Sequence, residues 1–108
     1  MRRALDGLSA WTASVLAWTF RARRKRLDRD VLAFGEVFRG RLPDDVLDDA
    51  LEYVGFNESL LAVEILADQL GEYDVRVTRD EWERLARLYE SYGGDPTMRK
   101  IVFLEPGG

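Results

Sequence analysis

The residues of this chain best able to do chemistry are carboxylates, and they come in groups. Asp28-x-Asp30 is one; Asp44, Asp45, Asp48, Asp49 and Glu52 form a second; Asp68, Glu72 and Asp74 surround Tyr73 in a third. Neighbouring carboxylates can work as general acid and base, or hold a divalent cation through their oxygens. The rest of the inventory narrows those options. The 108 residues include no histidine and no cysteine, which removes the usual near-neutral base, the commonest metal ligand and all thiolate chemistry. Any catalysis would rest on carboxylates, Tyr, Lys or Arg alone. Calcium loops alternate their ligands around a Gly turn and close on a bidentate Glu. The second group has helical spacing instead, so no metal, cofactor or catalytic residue is assigned. Gly40, Gly55, Gly71, Gly93 and Gly94 stand where helices are expected to end or turn and Gly35 stands alone inside one, so no phosphate-cradling loop is expected.

The elements that position these groups follow from periodicity. A chain of this length makes one domain with a single modest core. Its 46% hydrophobic and 33% charged residues suit a soluble globular protein. Charge is unevenly spread. Residues 1–27 hold seven cations against Asp6 alone, a net +6, whereas the other 81 hold nine against nineteen acids, a net −10. The expected division is a basic amphipathic helix in residues 1–27 and an acidic helical domain in residues 28–108. Within the first, Leu5, Leu8, Trp11, Val15, Trp18 and Ala22 recur at helical spacing ahead of Arg21, Arg23, Arg24, Lys25 and Arg26. The uncharged section is too short to span a bilayer, and its cations follow the apolar stretch where a secretory signal would carry them in front.

Asp28 or Asp30 is expected to cap a second helix, with Val31, Phe34 and Phe38 on one face and Gly40 at its end. Pro43 suits the first turn of a third, with Val46, Leu47, Ala50, Leu51 and Val54 inward and Gly55 closing it. Asn57 is the expected N-cap of a fourth helix over 58–70, apolar around most of its circumference, which Gly71 should break. Thr78 and Glu81 have the spacing of a capping box and open a fifth helix over 79–92, with Trp82, Leu85, Ala86 and Tyr89 on one face. Asp80 and Glu81 then sit where the helix dipole favours negative charge. Residues 101–104 are expected to form an extended segment or a clasp over the core. The fold expected is all-α: a compact bundle of about four core helices with an additional N-terminal amphipathic helix.

The acids on the third helix read first as a solvated face. Against that, Asp44, Asp48 and Glu52 share an i, i+4 stripe with no Lys or Arg between them in the sequence, and like charges so spaced destabilise a helix. A basic partner would offset the repulsion. Asp68, Glu72 and Asp74 add charge beside Tyr73, whose ring either covers the end of the helical hairpin or anchors a partner while the acids steer it. The basic N-terminal run reads as a solvated helix end, then as a membrane-surface element using Leu5, Trp11, Trp18, Arg23, Arg24, Lys25 and Arg26. Nucleic acid ranks third, because the acidic body repels it.

Residues 40–90, most strongly 60–88, also resemble a family. Leu61-Ala62, Glu64, Leu66, the phrase Asp68-Gln69-Leu70, then Glu72-Tyr73-Asp74-Val75 and the Thr78-capped helix through Leu88 are similar to the central phrase of the MafI family of bacterial immunity proteins. Gly71 and Arg76 depart from the family's usual residues, and residues 1–27 have no counterpart in it. The resemblance implies a cytoplasmic inhibitor, not an enzyme. Its partner would be a polymorphic bacterial toxin domain, with a nuclease the expected kind, bound through Asp44, Asp45, Asp48, Asp49, Glu52, Asp68, Glu72, Tyr73 and Asp74. The reading from another class is a membrane-surface accessory or regulatory protein anchored by residues 5–26.

Overall fold

The longest helix sets the frame. The computed structural model describes the backbone of residues 2–94 and the side chains of residues 12–94. Helix α1 runs uninterrupted over Arg2–Glu36, followed by α2 (Asp44–Gly55), α3 (Ser59–Glu72) and α4 (Arg79–Ser91). Among the described residues the fold is therefore all-α, four helices with no strand. The segment 101–104, and with it the expected clasp, lies outside them.

The break expected near residue 28 does not occur, so the first two expected helices are one. No Gly or Pro stands between Gly7 and Gly35, and nothing in the backbone demands a stop. Asp28, an expected cap, instead accepts hydrogen bonds from the Ser59 hydroxyl and the Tyr92 phenol, each at 2.6 Å. A carboxylate held by donors from distant helices is not free to cap its own.

Among the described residues, α1 enters the core through its C-terminal part, with Val31 and Phe34, and the turn that follows adds Phe38. The long axis of 61 Å reflects the remainder, since a helix of this length spans about 52 Å. Helices α1 and α3 each touch all the others, while α2 and α4 flank them without meeting. The apolar character of α3 suits that middle position: Ala62, Val63, Leu66, Ala67 and Leu70 are buried, with only Leu61 substantially exposed. Gly35 lets α1 approach α2. A Cβ there would lie 2.5 Å from a Leu51 methyl, nearer than packed atoms tolerate. Val46, expected inward, is half-buried, and so is Trp82, which packs against the core.

Three helices end alike. Asn57, Asp74 and Gly93 take left-handed φ values of 62°, 49° and 85°. After each, the next N–H reaches back to the carbonyl five residues earlier: Glu58 to Tyr53 at 2.9 Å, Val75 to Leu70 at 2.9 Å and Gly94 to Tyr89 at 3.0 Å. These are Schellman motifs, which satisfy the free carbonyls of a helix end. Two expectations are corrected by them. Asn57 is not an N-cap but the left-handed residue closing α2, and the residue before α3, Glu58, makes no side-chain cap bond. Gly71 does not break α3, which continues to Glu72; Asp74 makes the turn, because its short polar side chain tolerates that conformation. Gly55 and Pro43 are each displaced by one position, Gly55 inside α2 and Pro43 at its N-cap.

The capping box forms as expected. The Glu81 N–H donates to the Thr78 hydroxyl at 3.1 Å, and the Thr78 N–H donates to the Glu81 carboxylate at 3.0 Å. Glu81 also accepts from Arg41 at 2.7 Å, and Arg41 reaches the Arg76 carbonyl. The Arg41 hydrogen bonds, foremost, and those from Thr78 lower the Glu81 carboxyl from near 4.5 to about 2. A depressed carboxylate stabilises the fold above its unfolded pKa, and that contribution is lost as pH falls from about 4.5 through about 2. With Glu81 only 16% exposed and Arg41 34%, the contribution at neutral pH is roughly 1–2 kcal/mol after allowance for solvent screening. Glu81→Gln is therefore expected to cost about that much at pH 7 and almost nothing at pH 2. Urea melts at the two pH values check this, and an equal cost at both would reject the ion-pair account.

Candidate functional site

Helix α2 buries Leu47, Ala50, Leu51 and Val54 and turns Asp45, Asp49 and Glu52 directly away from them. Asp44 and Asp48 lie towards α1, and there the expectation of an unneutralised stripe fails. Arg39, from the turn after α1, sits 2.8 Å from Asp48, 3.4 Å from Asp44 and 2.7 Å from Glu36. Its guanidinium is held above its usual pKa by donating first to Glu36 and then to Asp48. The Glu36 carboxyl is lowered by accepting from it. This cation, which offsets part of the charge of the three carboxylates it meets, comes from outside the helix, so spacing within α2 could not reveal it. Asp45, Asp49 and Glu52 are exposed and take part in no ion pair among the described residues.

Because α2 and α3 are antiparallel, joined by residues 56–58, the start of α2 and the end of α3 share one end of the bundle. That brings Asp45 to the same end as Glu72, Tyr73 and Asp74. Tyr73 is 49% exposed, and its flanking carboxylates are exposed too. Asp68 is half-buried and already engaged within the chain. The site thus divides: Asp45, Asp49, Glu52, Glu72, Tyr73 and Asp74 are exposed and take part in no ion pair among the described residues. Asp44 and Asp48 are exposed but paired with Arg39, and Asp68 is half-buried and engaged within the chain. Arg41, bridging the α1–α2 turn to Arg76 and Glu81, fastens the elbow to the bundle.

The opposite end holds a feature that sequence reasoning missed. Asp28 lies between Ser59 at the start of α3 and Tyr92 at the end of α4. Burial first, then donation to Asp28, push the Tyr92 phenol above its usual pKa. Beside this node an open groove of about 640 Å³ runs between α1 and the bundle, lined by Phe20, Arg23, Arg24, Asn57, Ser59 and Tyr92 among others. Arg24 donates to the Asn57 carbonyl across it at 3.2 Å. The Asp28 partners are 31 and 64 residues away, a separation that no local pattern encodes.

Along α1, Val15 and Trp18 are exposed, as are Arg23, Arg24, Lys25 and Arg26; the side chains of Leu5 and Trp11 lie outside those described. Among the described residues, no group of three or more acidic side chains is arranged to hold a metal ion, and no buried side-chain polar atom lacks a partner. No family model, curated protein or solved structure matches the chain.

Proposed function

We propose that this chain is an immunity protein that binds a basic bacterial toxin domain, a nuclease being the expected kind, and neutralises it in the cytoplasm without covalent chemistry. The observation that carries the reading is the run of exposed carboxylates, Asp45, Asp49 and Glu52, leading to the elbow where Glu72 and Asp74 flank exposed Tyr73. The likeness of residues 40–90, strongest over 60–88, to the MafI family supports it. A nuclease cleft is built to attract phosphates, so an acidic ridge accelerates encounter with it. An exposed aromatic ring between the elbow's two carboxylates supplies contact area at low entropic cost. A contact of standard size buries about 1,600 Å² in total, which the ridge and elbow would share with their surroundings.

The first test is growth rescue: the toxin domain encoded next to this chain is induced with and without it. Rescue and a co-purifying complex are expected. The mechanism is then read from variants. Asp45→Lys, Asp49→Lys and Glu72→Lys together are expected to slow association about 10- to 100-fold and to flatten its salt dependence. At position 74 the left-handed backbone makes Lys a poor probe, because it adds strain to charge; Asp74→Gly removes the charge and suits the turn. Unchanged association rates in folded variants would rule out the acidic ridge as the binding surface. Failure of the well-folded wild type to rescue would remove the immunity reading itself.

A further inference from the structure

Helix α1 packs on the bundle through Val31 and Phe34, and the turn after it adds Phe38. At about 100° per residue, the opposite face is formed by Val15, Trp18, Ala22, Lys25, Arg29 and Leu32, with Arg21 and Arg26 at its edges. All of these are exposed, Trp18 at 66%. The face changes character along its length, from apolar to cationic and back to apolar at Leu32. Its first carboxylate is Glu36, which is already paired with Arg39. The two other acids of this part of α1 lie off the face: Asp28 is turned to Ser59 and Tyr92, and Asp30 follows the flank. Among the described residues Arg21, Lys25, Arg26 and Arg29 take part in no ion pair.

We propose that this outward face of α1 docks on an anionic phospholipid surface. Attachment of an amphipathic helix to a membrane surface strengthens with the apolar area it buries and with its attraction to anionic lipid, and the face carries both. Trp18, Val15 and Leu32 supply apolar area at the depth where an indole ring settles best. Lys25, Arg26, Arg29 and Arg21 supply the attraction to lipid headgroups. The helix lies in the plane of the interface, because the bundle occupies its other side. It does not cross: no helix among the described residues is long and apolar enough to do so. Exposed apolar side chains interleaved with the cations favour lipid over nucleic acid, whose backbone offers them no hydrocarbon. The docking is independent of the acidic ridge, which is carried by α2 and the elbow.

The test is co-sedimentation of the full chain with vesicles of phosphatidylcholine and phosphatidylglycerol, against pure phosphatidylcholine. Binding is expected to the anionic vesicles and to fall with added salt. Lys25→Ser, Arg26→Ser and Arg29→Ser together are expected to weaken it about 100-fold, at roughly fivefold per cation. Trp18→Ser is expected to weaken it roughly tenfold. Phe20→Ser, on the bundle side of the same helix, is expected to leave it unchanged. Because Trp18 and the three cations are exposed, these variants keep the helical spectrum of the parent. No difference between the two vesicle types would overturn the proposal, as would full binding by Trp18→Ser or a loss in Phe20→Ser equal to that in Trp18→Ser. Preferential binding of a labelled nucleic acid duplex, with vesicles ignored, would overturn it in favour of the other polyanion.

Discussion

Phe34→Ala is expected to destabilise the protein by about 3–5 kcal/mol, the range for truncating a buried Phe. Phe34 is 1% exposed and meets Phe38 edge-on, with ring centres 5.2 Å apart. The Arg84 guanidinium of α4 lies 5.0 Å from its ring centre. Truncation would open a cavity where α1 joins the bundle and would also remove the aromatic pair and the cation contact. Small domains have a total stability of about 5–15 kcal/mol, so this single change takes up a large share of it. Urea denaturation followed by circular dichroism measures the effect. Phe20→Ala, on the same helix but 64% exposed, is expected to stay within about 0.5 kcal/mol. A similar small cost for Phe34 would mean that α1 does not pack on the bundle as described.

Asp28→Ala is expected to cost about 2–4 kcal/mol. One carboxylate oxygen accepts from both Ser59 and Tyr92 at 2.6 Å, and Ser59 is 1% exposed. Without that acceptor a buried hydroxyl is left unpaired, which is more costly than deleting both partners. Asp28→Asn keeps an acceptor oxygen and is expected to lose only about 1 kcal/mol. Ser59→Ala is expected to lose a similar amount, because Asp28 still holds Tyr92. The double mutant Asp28→Ala, Ser59→Ala should therefore be less damaged than the sum of its parts, a coupling that a double-mutant cycle reads directly. Additive costs would show that the node is not a unit. Hydrogen exchange offers a second reading: loss of Asp28 should loosen the first turn of α3 and the last turn of α4 together.

Much of the architecture is written locally. The apolar positions of α2, α3 and α4 recur at helical spacing, and those helices form where the spacing places them, to within a residue or two at their ends. The capping box at Thr78 and Glu81 needs only four consecutive residues, and it is present as read. Turn chemistry was harder to read, because Asn, Asp and Gly serve either end of a helix. Asn57 as an N-cap and Asn57 as a left-handed C-terminal residue look the same in sequence; the bond from the Glu58 N–H to the Tyr53 carbonyl decides between them. Asp74 does the work assigned to Gly71 for the same reason.

Composition and periodicity are properties of neighbours along the chain, and from them alone follow the helical fold of the described residues, the lack of histidine and cysteine chemistry, and the division into a basic N-terminal segment and an acidic remainder. Tertiary structure alone decided which carboxylates are free. Arg39 pairs with Asp44 and Asp48, Ser59 and Tyr92 hold Asp28, and Asp45, Asp49, Glu52, Glu72 and Asp74 are left exposed with no ion pair among the described residues. It also decided that α1 is continuous and which of its faces looks outward. The physical reason is common to both. A hydrogen bond or ion pair satisfies a group regardless of the chain distance to its partner, so the surface left over for function is known only once every long-range partner has been found.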